Sequence, residues 1–284
     1  MFVKTLPAIL FFGAVAFATT STVHDTRAAK IPVVTVHAKD FSFDAPKTIS
    51  AGMTSFKLVN DGKVLHHVSI VKLEQGKTLA DFEAAMKVQG PPPKWVVAVG
   101  GPNAAVPGGT VEATLDLEAG NYVMMCLIST TGDPTPHFMK GMIKPFTVSA
   151  AGGVTQAGAP SIAAPTPEVH LVLKDYGFVF SKPLHVGKNV IHVMNEGPQE
   201  HEAIFVKVNP GKHIADLNKW VFDGMIGPPP STPVDGMAGM AKGRTGIFTA
   251  NLTPGTYAIT CFVPDAKDGK PHFAHGMTTE FEVK

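Results

Sequence analysis

Two stretches of this chain carry residue types that hold soft and borderline metal ions. Gly120–Val148 reads GNYVMMCLISTTGDPTPHFMKGMIKPFTV, and Gly255–Val283 reads GTYAITCFVPDAKDGKPHFAHGMTTEFEV. Each presents Cys, His and Met in that order: Cys126, His137 and Met142, then Cys261, His272 and Met277. A thiolate, an imidazole and a thioether on one loop suit copper cycling between its two oxidation states. A further histidine stands upstream in each half, His66 after Asn60-Asp-Gly-Lys-Val-Leu and His201 after Asn195-Glu-Gly-Pro-Gln-Glu. His66, Cys126 and His137 thus form one His2Cys set with Met142 beside it, and His201, Cys261 and His272 form a second with Met277. Taken singly, a Cys is often a small buried hydrophobe and a Met is usually core. Their recurrence in one order in both halves favours the metal.

This pattern resembles the cupredoxins, the plastocyanin and azurin family of blue-copper proteins, whose ligands are an upstream His and a C-terminal Cys, His and Met loop. The resemblance covers both halves and includes the ligand order, Tyr122 and Tyr257 before each Cys, and Gly141 and Gly276 just before each Met. About ten residues separate each Cys from its His, more than in small electron-transfer cupredoxins as the family is usually described. The resemblance implies a copper ion held by two imidazoles and a thiolate in a near-trigonal plane, with the thioether as a weak axial neighbour tuning the potential. Pro136 and Pro271, each just before the second His, would stiffen the loop.

The elements that must position these residues follow from pattern. Val34–Val148 aligns on Val169–Val283 at a constant shift without a gap, the mark of a duplicated unit. Val33–His37, Thr54–Val59 and His66–Leu73 have the β-branched, alternating character of strands, so that His66 opens a strand. Thr110–Leu117 alternates Val111, Ala113, Leu115 and Leu117 against polar neighbours, and Asn121–Ile128 follows a turn. Thr78 and Asp81 cap a helix over Leu79–Val88, with a counterpart near Ile214–Phe222, each stopped by prolines. Leu117-x-x-Gly120-x-Tyr122 and Leu252-x-x-Gly255-x-Tyr257 look like tyrosine corners of Greek-key sandwiches. The fold expected is all-β: two tandem Greek-key β-sandwich, cupredoxin-like domains over residues 31–148 and 168–284, each with one short inserted helix. Residues 149–167, rich in Gly, Ala and Pro, read as a linker.

A chain of 284 residues accommodates two domains, and a net charge of +1 gives no electrostatic case for nucleic acid or an anionic membrane surface. The two cysteines occupy equivalent repeat positions in separate domains and are poor disulfide partners. Residues 1–18, with Lys4, an apolar run and Ala16-Phe17-Ala18, read as a cleaved secretory signal, so the mature protein should be periplasmic or secreted, with no membrane span.

Three functions compete. Electron transfer to a redox partner protein, unidentified, through copper ranks first; a cupredoxin-like binding or structural module without metal ranks second; and a two-domain copper oxidase or nitrite reductase ranks third. In such enzymes a histidine adjacent to the ligand cysteine ties a second copper to the blue site. Here the neighbours are Met125 and Leu127, and Thr260 and Phe262, and no His-x-His occurs in the chain, so the chain is expected not to be an enzyme. His67 reads as a surface or interdomain residue rather than a ligand, and His275 as a surface residue. Gly236-Met-Ala-Gly-Met240-Ala reads as a flexible loop whose Met237 and Met240 are candidates to hold Cu(I). Phe138 and Phe273, next to the ligand histidines, suit an apolar docking rim or the core. His24, His37, His170, His185, His192 and His213 show no repeated ligand spacing and receive no role.

Overall fold

The computed structural model describes Met1 and residues 30–88, 90–150 and 160–284. The expected signal segment and His24 lie outside the described residues. Among the latter, no helix is long and apolar enough to cross a membrane.

Among the described residues the architecture is all-β, with two Greek-key sandwich bodies and one short helix in each half. Alternation drives it: Lys30–Lys39 buries Val34, Val36 and Ala38 on one face, and Thr110–Leu117 buries Val111, Ala113, Leu115 and Leu117. The strands extend a few residues beyond the segments read from pattern, to Lys30–Lys39 and Gly52–Asn60. The first helix is shorter than expected, Leu79–Ala85, and it ends before the prolines rather than at them. Its box is in place: Thr78 Oγ1 accepts from the Asp81 N–H, and Asp81 Oδ2 accepts from the Thr78 N–H. The second helix is Ile214–Phe222.

Both tyrosine corners are present. Tyr122 donates to the Glu118 carbonyl at 2.8 Å and Tyr257 to the Thr253 carbonyl at 3.0 Å, each ring fully buried.

The two halves share their sheets. Among the described residues two nine-stranded sheets form, and each takes strands from both repeats. In one, Thr110–Leu117 pairs antiparallel with Thr245–Leu252, placing Ala113 opposite Phe248. In the other, Val96–Gly100 meets Ser231–Met240, and Pro102 bridges Met237. Ala113 and Phe248 are equivalent repeat positions, and so are Pro102 and Met237. The halves therefore face each other across a local two-fold relation, as two identical subunits would. One apolar core extends through both, from Val34 to Val283.

Two sequence expectations are corrected here. The glycine-rich segment carrying Met237 and Met240 is strand, Ser231–Met240, and both thioethers are fully buried. Glycine allows it: a side chain at Gly246 or Gly100 would collide with Met237, so small residues from both halves make its berth. Part of the expected linker is also strand, Ser161–Ala163, paired with Lys30–Pro32.

Candidate metal centres

Each centre assembles from three places. The upstream histidine leaves the Asn60 turn in the first half and the Asn195 turn in the second. Asn60 Oδ1 accepts from the Gly62 N–H while its amide donates to the Val64 and Ala105 carbonyls, both at 2.8 Å. Asn195 repeats this on Gly197, Gln199 and Met240. These buried amides satisfy the main chain that turns each histidine inward. His66, expected to open a strand, instead precedes strand Ser69–Leu73 and is held by a two-way bridge to Ala105, whereas His201 begins strand His201–Val208. Cysteine and second histidine sit on a loop closed by a single 3-10 turn. The Phe138 N–H donates to the Cys126 carbonyl, the Met142 N–H to the His137 carbonyl, and the Cys126 N–H to the Met142 carbonyl. Phe273, Met277, His272 and Cys261 repeat the lacing.

The structure brings the predicted residues together. His66, Cys126 and His137 place their ligand atoms within 4.8 Å of one another, as do His201, Cys261 and His272, and all six are fully buried. Nδ1 of His66 lies 3.2 Å from Nδ1 of His137, which lies 3.5 Å from the Cys126 sulfur. The second half has 3.0 and 3.4 Å. Met142 and Met277 are fully buried in the same loops.

The outer ring nitrogens decide how these donors act. His66 Nε2 donates to Asp40 at 3.0 Å and His201 Nε2 to Asp175 at 2.7 Å, which leaves the inward Nδ1 as a lone pair. His137 Nε2 meets Thr130 Oγ1 at 3.0 Å. Two inward-facing imidazole nitrogens beside a thiol fit a shared cation. Burial holds His66 and His201 below the usual histidine pKa, partly offset by Asp40 and Asp175. Burial, then the neighbouring His66, pushes His137 down to about 4, and His272 is lowered by burial and then His201. Burial pushes the Cys126 thiol up to about 11 and Cys261 well above its ordinary value. A cation entering either set therefore displaces the thiol proton. Copper bound by these residues would supply a one-electron couple, with the histidines and cysteine of each set as its donors.

Sequence reading missed the residues behind the donors. Asp40 and Asp175 follow a Lys in both halves, a repeated Lys-Asp pair that the constant shift exposes. Gly62 and Gly197 make room for them, because a Cβ there would sit 2.8 Å from His66 Nε2 and 2.5 Å from His201 Nε2. His67 is corrected: it is buried, and its Nε2 accepts from the Leu127 N–H at 3.0 Å, fixing the residue after Cys126. Its counterpart Glu202 accepts from the Phe262 N–H at 2.8 Å. Alternation placed His67 on the opposite face from His66, but that face is covered by the cysteine loop. Phe138 packs with Phe82 and Val71 in a satellite core, and Phe273 stacks edge-on against Phe222 and Phe262. His275 pairs with Asp268 at 3.2 Å, His37 with Asp61 at 2.7 Å, and His170 faces His192 at 3.4 Å.

No protein-family model and no curated protein matches the chain. Solved structures do. A dithionite-reduced auracyanin from Roseiflexus castenholzii is 21% identical, covering 42% of this chain and 97% of its own, with a TM-score of 0.29. A blue copper oxidase from Nitrosomonas europaea is 13% identical over 88% of this chain and 85% of its own, TM-score 0.27. A copper nitrite reductase from the same organism is 16% identical over 89% and 93%, TM-score 0.25. The two all-β sandwich bodies and their two buried His2Cys sets agree with the cupredoxin-like pattern read from the sequence. These sets fit copper. The expectation that the chain is not an enzyme is corrected: the solved structures it resembles include a blue copper oxidase and a copper nitrite reductase.

Proposed function

We propose that the protein is an exported copper protein that passes single electrons to a redox partner through His66, Cys126 and His137 and through His201, Cys261 and His272, with Met142 and Met277 as axial neighbours. The observation that carries this reading is the pair of inward-facing Nδ1 atoms beside a buried cysteine, built twice with an aspartate behind the upstream histidine of each pair. A donor set laced into a stiff loop changes little between Cu(I) and Cu(II), which favours electron exchange. Leu127 and Met139 lie 44% and 65% exposed beside the first centre, an apolar rim of the kind that transient redox partners use. Export is supported by the signal-like residues 1–18.

The test is copper reconstitution of the mature protein, followed by visible spectroscopy. Wild type should show an intense thiolate-to-Cu(II) band that bleaches on reduction and returns on oxidation. Cys126→Ser and Cys261→Ser should each remove their share of it, and together all of it. A band that survives the double substitution would defeat the ligand assignment. Sustained nitrite or oxygen consumption would replace the carrier reading with an enzymatic one.

A further inference from the structure

Equivalent positions behind the second histidine of each centre carry opposite charge. In the first half, Thr130 Oγ1 meets His137 Nε2 at 3.0 Å, and the Lys140 ammonium stands behind it, 3.4 Å from that hydroxyl and 4.7 Å from the centroid of the Phe41 ring. In the second half the constant shift puts Asp265 at the place of Thr130, His275 at that of Lys140 and Tyr176 at that of Phe41. A neutral hydroxyl backed by a cation has become a carboxylate. Its Oδ2 lies 3.8 Å from His272 Nε2. Behind the upstream histidines the halves are alike, with Asp40 on His66 and Asp175 on His201, so those charges cancel from the comparison.

Neither charge is silenced by its surroundings. The Asp265 side chain is 1% exposed and is held by neutral donors: the Tyr176 hydroxyl at 2.5 Å and the Gln199 amide at 2.9 Å on Oδ2, and the Lys267 N–H at 2.8 Å on Oδ1. Those bonds, Tyr176 first, hold its carboxyl well below the usual carboxylate range, so it is ionised at neutral pH. Lys140 pairs with Asp133 at 2.7 Å, but the lysine is 20% exposed and the aspartate 47%, so water screens the anion more than the cation. Lys270, 3.7 Å from Asp268, is 68% exposed and screened in the same way. The ligand histidines register the difference. After burial and the partner imidazole, Lys140 pushes His137 further down, whereas Asp265 acts upward on His272.

We propose that Lys140 and Asp265 set the two centres at unequal reduction potentials, the second below the first, so that a single electron given to the copper-loaded protein settles at the first. Cu(II) carries one positive charge more than Cu(I), so a buried anion beside a centre favours its oxidised form and a cation favours its reduced form. Both residues act through the ligand histidine in front of them and are positioning residues. The proposal rests on the copper reading above and gives it a direction: the half that holds Asp265 is the one that yields its electron first.

The test is a spectroelectrochemical titration of the full mature protein loaded with copper, in which the thiolate band of Cys261→Ser reports the first centre and that of Cys126→Ser the second. At any one applied potential the first centre should show a reduced-to-oxidised ratio at least about tenfold higher than the second, a separation of about 59 mV or more. Adding Asp265→Asn, which keeps the shape and removes the charge, should raise the potential of the second centre, and adding Lys140→Gln should lower that of the first. Equal potentials, the reverse order, or potentials that neither variant moves would overturn the proposal while leaving the copper reading intact. A wild type that takes up no copper and shows no band would defeat both.

Discussion

At the residue scale, the donors were legible and the groups that ready them were not. Cys, His and Met announce themselves by chemistry and order, whereas Asp40 and Asp175 are ordinary surface letters until folding lays them on His66 and His201. Asp40→Asn should keep the fold and weaken copper at the first centre by roughly 10- to 100-fold, read by competition with a chelator, because the imidazole loses the partner that sets its tautomer. His67 and Glu202 give the metal-free protein opposing pH responses. Burial holds His67 down to about 3, so the unfolded chain takes up a proton that the folded chain refuses. Its contribution is complete above the ordinary histidine pKa and is lost as the pH falls from there toward 3. Burial pushes Glu202 up to about 7, so here the folded chain keeps a proton that the unfolded chain releases. That contribution is complete at acid pH and is lost as the pH rises through 7. In urea unfolding of the apo protein, His67→Gln should blunt the loss between pH 7 and 5, and Glu202→Gln should raise the midpoint at pH 8. Curves parallel to wild type would show that neither group titrates differently on folding.

At the element scale, alternation and turn chemistry gave the strands, the capped helix and the tyrosine corners, because each is specified by neighbours in sequence. The glycine-rich segment around Met237 misled for the same reason. Locally, Gly236 and Gly239 read as loop, yet His201–Val208 pairs along the segment as strand, and the Gly101 N–H, 136 residues away, approaches the Met237 sulfur at 3.5 Å. Gly236 takes φ of 140°, and a side chain there would strike the Ala203 carbonyl. No local rule reports a berth made by the other half. Met237→Ala should therefore cost about 2–5 kcal/mol, the usual range for a large buried side chain cut to Ala. The loss should appear in a single unfolding transition followed by denaturant; a loss confined to half of the signal would mean that the halves unfold separately.

At the scale of the whole molecule, the duplication was legible and the joining of the copies was not. The linker composition argues for halves with separate cores, but the ladders at Ala113 and Phe248 and at Pro102 and Met237 give each half a mating edge made for the other. Residues 30–150 and 160–284 produced separately should assemble on mixing into a one-to-one complex in sedimentation, because an unpaired sheet edge seeks a partner strand. Two fragments that stay monomeric at high concentration would show the ladders to be dispensable. The local two-fold relation has a consequence for the chain in a crowd. A self-complementary junction does not record which chain supplied each side, so the first half of one molecule can seat on the second half of another with every native contact kept. Only the tether between halves, by keeping the chain's own partner at high effective concentration, favours the closed monomer. Concentrated protein is thus open to reciprocal exchange, in which two chains trade halves and every centre, with its cysteine, histidines and methionine all from one half, passes intact from monomer to dimer.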